Sequence, residues 1–170
     1  MSSLECAIAL AAVAHEGQED KAGAKYILHP IRVMLRLNTD EERIVGVLHD
    51  VVEDCREKVC GQLGERHGVP ASERDIYGLL RLEGFSENVI KALESVTKRD
   101  DEMGESDEAY FRFIDRACRN AIGRRVKLAD LEDNCDLSRI SNPSDKDEAR
   151  ITKYARAKAR ILEAERLEGK

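Results

Sequence analysis

Tryptophan is absent, and phenylalanine and tyrosine bring aromatics to only 4% of the chain. Proline occurs three times in 170 residues, so little interrupts regular backbone. Stretches rich in Val, Ile, Thr and Tyr are missing, which removes the usual mark of strands. No CxxC pair occurs among Cys6, Cys55, Cys60, Cys118 and Cys135. An odd, scattered set of thiols speaks against a disulfide framework and suits a reducing compartment. No apolar run is long enough to span a bilayer. The formal net charge is −6 with no basic stripe, which argues against a nucleic-acid polymer as partner. A small phosphorylated metabolite needs only a local basic lining and stays open.

What is present reads as all-α. Apolar residues make up 42% and charged residues 36%, the balance of a globule whose helices carry charged outer faces. The length fits a single domain over residues 1–170, large enough to bury a core without staples. The first residues, MSSLECAIALAAVAHEGQED, lack a basic leader region. They read as an amphipathic helix over 3–16, with Ser2 and Glu5 as a capping box and Gly17 as its stop. The expected location is cytoplasmic.

About eight helices and no significant sheet are expected. Pro30 opens a short helix over 30–37. Thr39 and Glu42 form a capping box for a helix over about 40–54. The next spans 56–67, stopped by Gly68 and Pro70. Ser72 and Asp75 open another to about 83, and Ser86 opens one to Thr97. An acidic surface loop, 100–108, leads to a helix over about 107–119. A helix from about 123 to 140 is broken by Asn142-Pro143. Ser144 caps the last, to about 167, whose packed face reads Ile151, Tyr154, Ala155, Lys158, Ile161, Leu162 and Glu165. A homo-oligomer contact through it stays open without support.

The chemistry concentrates in HDVVED, residues 49–54. On a helix His49 shares a face with Glu53, and Asp50 with Asp54. So much charge beside an apolar GVL and VV is costly to bury unless a cation compensates it. Two distant partners exist. His29 precedes Pro30, which is expected to hold it extended at a helix entrance. Asp130 sits in VKLADLEDN, flanked by apolar residues. Two imidazoles and two carboxylates form a mixed N/O donor set suited to Mn²⁺, Fe²⁺ or Zn²⁺.

In this order AHEGQEDKAGAKYILHPIRV, VLHDVVEDC, SVTKR and VKLADLEDN resemble the hydrolase domain of the RelA/SpoT alarmone enzymes, in particular the stand-alone small alarmone hydrolases of the HD superfamily. The resemblance runs from about Ala11 to Asn134. It implies an HD-domain helical bundle around one Mn²⁺, with His29, His49, Asp50 and Asp130 as ligands. It implies Glu53 and Asp54 as the pair that handles the attacking water. The reaction would release the 3′-pyrophosphate of (p)ppGpp, with no synthetase activity. Lys21 falls on a basic position of the family's substrate loop, and Asn134 on an Asn near the nucleoside.

Of the other cations near these motifs, Lys25 and Lys127 could meet phosphate by their charge, but a place at the solvated surface is expected. His15, within the family's AH.GQ motif, is expected to be structural, and His67 to cap a helix end. The chain departs from the family pattern at five positions. Asp20, Ala22, Lys25, Leu131 and Asp133 replace Arg, Ser, Pro, Arg and His, so a changed substrate lining is expected. Hydrolysis of another nucleotide, such as NADPH or a nucleoside phosphate, is therefore an alternative. A non-catalytic nucleotide sensor is a further one, against which Glu53 and Asp54 speak.

Overall fold

The computed structural model describes residues 2–104, 106–139 and 144–168. Among them the chain forms nine α-helices: α1 (Leu4–Ala14), α2 (Leu28–Leu35), α3 (Asp40–Asp54), α4 (Arg56–His67), α5 (Ile76–Leu82), α6 (Glu87–Val96), α7 (Asp107–Cys118), α8 (Ala121–Asn134) and α9 (Asp145–Glu168). Short 3₁₀ turns lie at Ala71–Glu73, Asp100–Glu102 and Leu137–Arg139. The described residues hold no strand, only one isolated bridge between Glu19 and Lys25. The fold is the expected all-α bundle.

Helix α3 is its axis, packed by α1, α2, α6 and α8. Its start is fixed by the capping box. Thr39 Oγ1 accepts from the Glu42 N–H at 3.2 Å, and Glu42 Oε2 accepts from the N–H groups of Thr39 and Asn38. Three acidic residues in this first turn also favour the positive helix end. The other oxygen of Glu42 accepts from Arg125 at 2.6 Å, tying the start of α3 to α8. Along α3, Ile44, Val45, Val47, Leu48, Val51 and Val52 are all buried. Truncating one such side chain, as in Leu48→Ala, costs about 2–5 kcal/mol by transfer and cavity formation. The main cluster spans α1 to α6 and reaches α7 and α8. A smaller one joins α7, α8 and α9 through Phe113, Ile114, Leu131, Ala157 and Ile161.

Several local expectations shift. Ser3, not Ser2, caps α1, accepting from the Cys6 N–H; the Ser2 N–H is bound to the Gly84 carbonyl. Asp75 alone caps α5, because Ser72 lies in a separate 3₁₀ turn. Helix α8 stops at Asn134, earlier than 140, and the Asn142-Pro143 break lies outside the described residues. His67 ends α4, but its Nε2 meets Glu83 at 2.8 Å, so a side-chain contact with Glu83 replaces the capping role. The inner face of α9 carries Ala157 and Ile161, while Ala155 and Leu162 are exposed.

Candidate metal centre and its cleft

Three helices bring the four proposed ligands together. His29 comes from the first turn of α2, His49 and Asp50 from the last turns of α3, and Asp130 from α8. His29 is helical rather than extended, since α2 begins at Leu28 and takes Pro30 into its first turn, where a missing N–H does no harm. One ligand atom each of His29, His49 and Asp50 lies within 4.8 Å of the others. Asp130 Oδ1 stands 3.3 Å from His29 Nε2 and 3.7 Å from His49 Nε2. Asp50 completes the ring, with Oδ2 at 3.4 Å from His29 Nε2 and Oδ1 at 3.1 Å from His49 Nε2. His29, His49 and Asp130 are all buried.

The outer faces of both rings are spoken for. His49 Nδ1 donates to the Gly46 carbonyl at 2.8 Å. His29 Nδ1 donates to Asp133 Oδ2 at 2.8 Å, and Arg32 and Arg36 hold that same carboxylate. Each Nε2 is thereby turned inward. His49 Nε2 is buried without a hydrogen-bond partner although two carboxylates stand beside it. With the proton on Nδ1, it has only a lone pair to show them. Two lone pairs and two carboxylates cannot share this space unless a proton or a cation joins them. Burial pushes the His29 pKa down, but Asp130 and Asp133 outweigh it and hold it up at about 9. A divalent cation satisfies the same donors without protonation, so the residues fit one.

Neighbours engage the remaining oxygens. The Tyr26 hydroxyl donates to Asp50 Oδ2 at 2.8 Å. Lys127 Nζ donates to Asp130 Oδ2 at 2.6 Å, 5.0 Å from the centre of the Phe113 ring. The Asn134 amide donates to Asp130 Oδ1. Burial raises the Asp130 carboxyl, and Lys127 with the two imidazoles drives it well below the usual carboxylate range. The expected surface role of Lys127 is thus wrong: its side chain is 13% exposed and paired inside. Lys25 is at the surface, paired with Glu19.

Glu53 and Asp54 follow one turn after Asp50 on α3, in a recess with Gln18 and Cys55 that shares no lining residue with the cleft over His29. Lys98, next to Thr97 at the end of α6, donates to Glu53. Asp54 is open to solvent; partial burial first, then the charges of Asp50 and Glu53, push its carboxyl up. His15 is structural as expected: its Nδ1 meets Gln18 Oε1 at 2.8 Å and its ring packs on Tyr26.

A cleft of about 290 Å³ opens over His29, and Lys21 and Asn134 both line it. Of the departures from the family pattern, Asp20 and Ala22 also line it. Leu131 and Asp133 do not. Leu131 is core, and Asp133 is fully buried behind His29, so the change there holds the His29 ring instead of altering the cleft lining. Sequence reasoning missed Tyr26, the supporting role of Asp133, and Arg150, which reaches the cleft from α9. A signal existed for Arg32 and Arg36, one and two turns after His29. None existed for Arg150.

No protein-family model matches the chain. Among curated proteins, the guanosine-3′,5′-bis(diphosphate) 3′-pyrophosphohydrolase of Vibrio cholerae serotype O1 is 44% identical over 46 residues. That stretch is 25% of this chain and 6% of the relative's length, so the likeness covers a small part of either protein.

Proposed function

We propose that this chain is a metal-dependent phosphohydrolase acting on a small phosphorylated nucleotide, and that it releases the 3′-pyrophosphate of (p)ppGpp. The observation that carries the reading is the meeting of two imidazole nitrogens and two carboxylate oxygens, from three helices, beside a cleft. The short likeness to a pyrophosphohydrolase supplies the substrate class. His29, His49, Asp50 and Asp130 would hold the cation, with Mn²⁺ proposed because mixed nitrogen and oxygen ligation suits it. When bound, the ion neutralises phosphoryl charge and acidifies a water molecule.

The side chains do the rest. Tyr26 and Lys127 orient Asp50 and Asp130 through one oxygen each. Lys98 fixes Glu53, leaving Asp54, exposed and raised in pKa, as the group to take the proton of the attacking water. Lys21 meets phosphate charge in the cleft, and Asn134 lines it while steadying Asp130. Another nucleotide has one observation in its favour. Glu19, Asp20 and Asp136 place three carboxylates on the cleft wall, which suits a less densely charged ligand such as NADPH or a nucleoside phosphate.

The test is phosphate and pyrophosphate release from ppGpp, pppGpp and NADPH with Mn²⁺, using His49→Ala as control. Pyrophosphate from ppGpp, lost in the variant, is the expected result. Release from NADPH alone moves the substrate to the second reading. Release from none of them overturns the hydrolase.

A further inference from the structure

The recess beside Asp54 is walled by a side chain that the metal centre does not use. Gln18 lies on the loop between α1 and α2, and its backbone is held on both sides. Its N–H donates to the His15 carbonyl at 3.1 Å, and its carbonyl accepts from the Tyr26 N–H at 3.0 Å. The side chain is held too. Oε1 accepts from His15 Nδ1 at 2.8 Å, and Nε2 donates to Cys55 Sγ at 3.5 Å. His15 is itself buried and packs its ring on Tyr26. These two bonds orient the amide, with its oxygen toward α1 and its nitrogen toward the junction of α3 and α4.

An amide nitrogen carries two hydrogens. One of them goes to Cys55, and among the described residues the other has no partner. Gln18 lines the recess together with Glu53 and Asp54. The two acids differ in what holds them. Lys98 fixes Glu53, whereas no described residue donates a hydrogen bond to Asp54. Cys55 follows Asp54 directly, ending α3 and opening α4, so the nitrogen of Gln18 is anchored one residue from that acid. Lys58 secures the same wall, donating to the carbonyls of Val13 and Ala14 at the end of α1, 2.6 and 3.2 Å away. The donor thus stands in a fixed place, and a bond from it to a carboxylate is of the stronger, charge-assisted kind.

Building on the reading of the chain as a nucleotide phosphohydrolase, we infer that Gln18 is a positioning residue for Asp54: its second amide hydrogen steadies that carboxylate, as Lys98 steadies Glu53, and so aims it at the attacking water. No direct bond joins the two side chains, so the contact runs through one water molecule, as polar contacts longer than about 3.5 Å commonly do. A Gln18 that served only to tie α1 to α3 would matter for stability and leave the chemical step alone.

The contact is read first without turnover, in the full chain in EDTA, by nitrogen–proton correlation NMR of the Gln18 side-chain amide. Asp54→Asn shifts that resonance. Glu57→Gln removes the same charge from an exposed position in the same recess and leaves the resonance in place. Equal shifts in both variants, or none in either, overturn the inference. Kinetics with ppGpp and Mn²⁺ then separate positioning from structure. Gln18→Ala, with an unaltered circular-dichroism spectrum, lowers kcat at least about tenfold, the worth of one hydrogen bond to a charged group, and keeps KM within about twofold. An unchanged kcat, or a raised KM alone, overturns the positioning role and leaves the hydrolase reading intact. Absence of turnover in the unaltered chain, with Asp54→Asn still shifting the Gln18 amide, removes the hydrolase reading and keeps the contact between Gln18 and Asp54.

Discussion

Asp133 decides how His29 is presented. Its carboxylate is fully buried, accepts the Nδ1 proton of His29 and is gripped by Arg32 and Arg36. Such a partner fixes the tautomer and strengthens the imidazole as a donor. Asp133→Asn is therefore expected to weaken Mn²⁺ binding by about 10–100-fold with little change in helical content. Calorimetric titration with Mn²⁺ checks it, and unchanged affinity would remove Asp133 from the centre. The four proposed ligands were legible because each stands in a short motif of unusual charge among apolar neighbours. Asp133 was legible only as an oddity. Its meaning depends on a ring 104 positions away, and no local pattern carries that. Lys127 misled for a similar reason, since its place under Phe113 is set by the packing of α7 on α8.

At the scale of elements, the centre requires α2 and α3 to approach closely. Gly46 allows it. A Cβ there would lie 2.5 Å from Leu37 Cδ1 and 3.4 Å from the Met34 Cα. Gly46 also supplies the carbonyl that holds His49. Gly46→Ala is expected to destabilise the fold by about 1–3 kcal/mol through overpacking, seen as a lower urea midpoint at constant slope. An unchanged midpoint would mean that Leu37 yields freely. Three helix starts were readable from their capping residues. Thr39, Ser86 and Ser106 each accept a backbone N–H three residues on, as their positions in the sequence foretell. Among the ends the large miss is α8, which stops at Asn134 as the chain turns into 3₁₀ geometry, where apolar spacing gave no stop.

For the molecule as a whole, stability should depend on both cation and pH. A cation that binds only the folded chain stabilises it by mass action, about 2.7 kcal/mol at a hundredfold excess over Kd. That corresponds to roughly 5–10 °C in Tm for a chain of this size, so adding EDTA to the Mn²⁺-loaded protein should lower Tm by that amount. An identical melt with and without Mn²⁺ would argue that no cation is bound. Acid should act through carboxylates distant from the centre. Glu42 and Glu83 sit low because backbone and side-chain donors outweigh burial, and Glu102 sits low chiefly through Arg116. Their folded-state pKa values lie below the unfolded value of 4.5. The stability they contribute is complete above that value and is lost as pH falls through the lower ones. In EDTA, the raised pKa of His29 makes Tm rise as pH falls from about 9 toward 6.5; from there Tm should hold down to about pH 5 and fall below about pH 4. Glu102→Gln should make the fall shallower, and a Tm that rises between about pH 5 and pH 3 would contradict the argument. One consequence of the crowding around the carboxylates remains. Tyr26 already occupies one oxygen of Asp50, and Lys127 one of Asp130. Each of these oxygens keeps a lone pair, but the hydrogen bonds fix how the two carboxylates are turned toward an ion. An ion held by His29, His49, Asp50 and Asp130 and preferring more donors than these side chains supply would take the remainder from water or a bound ligand.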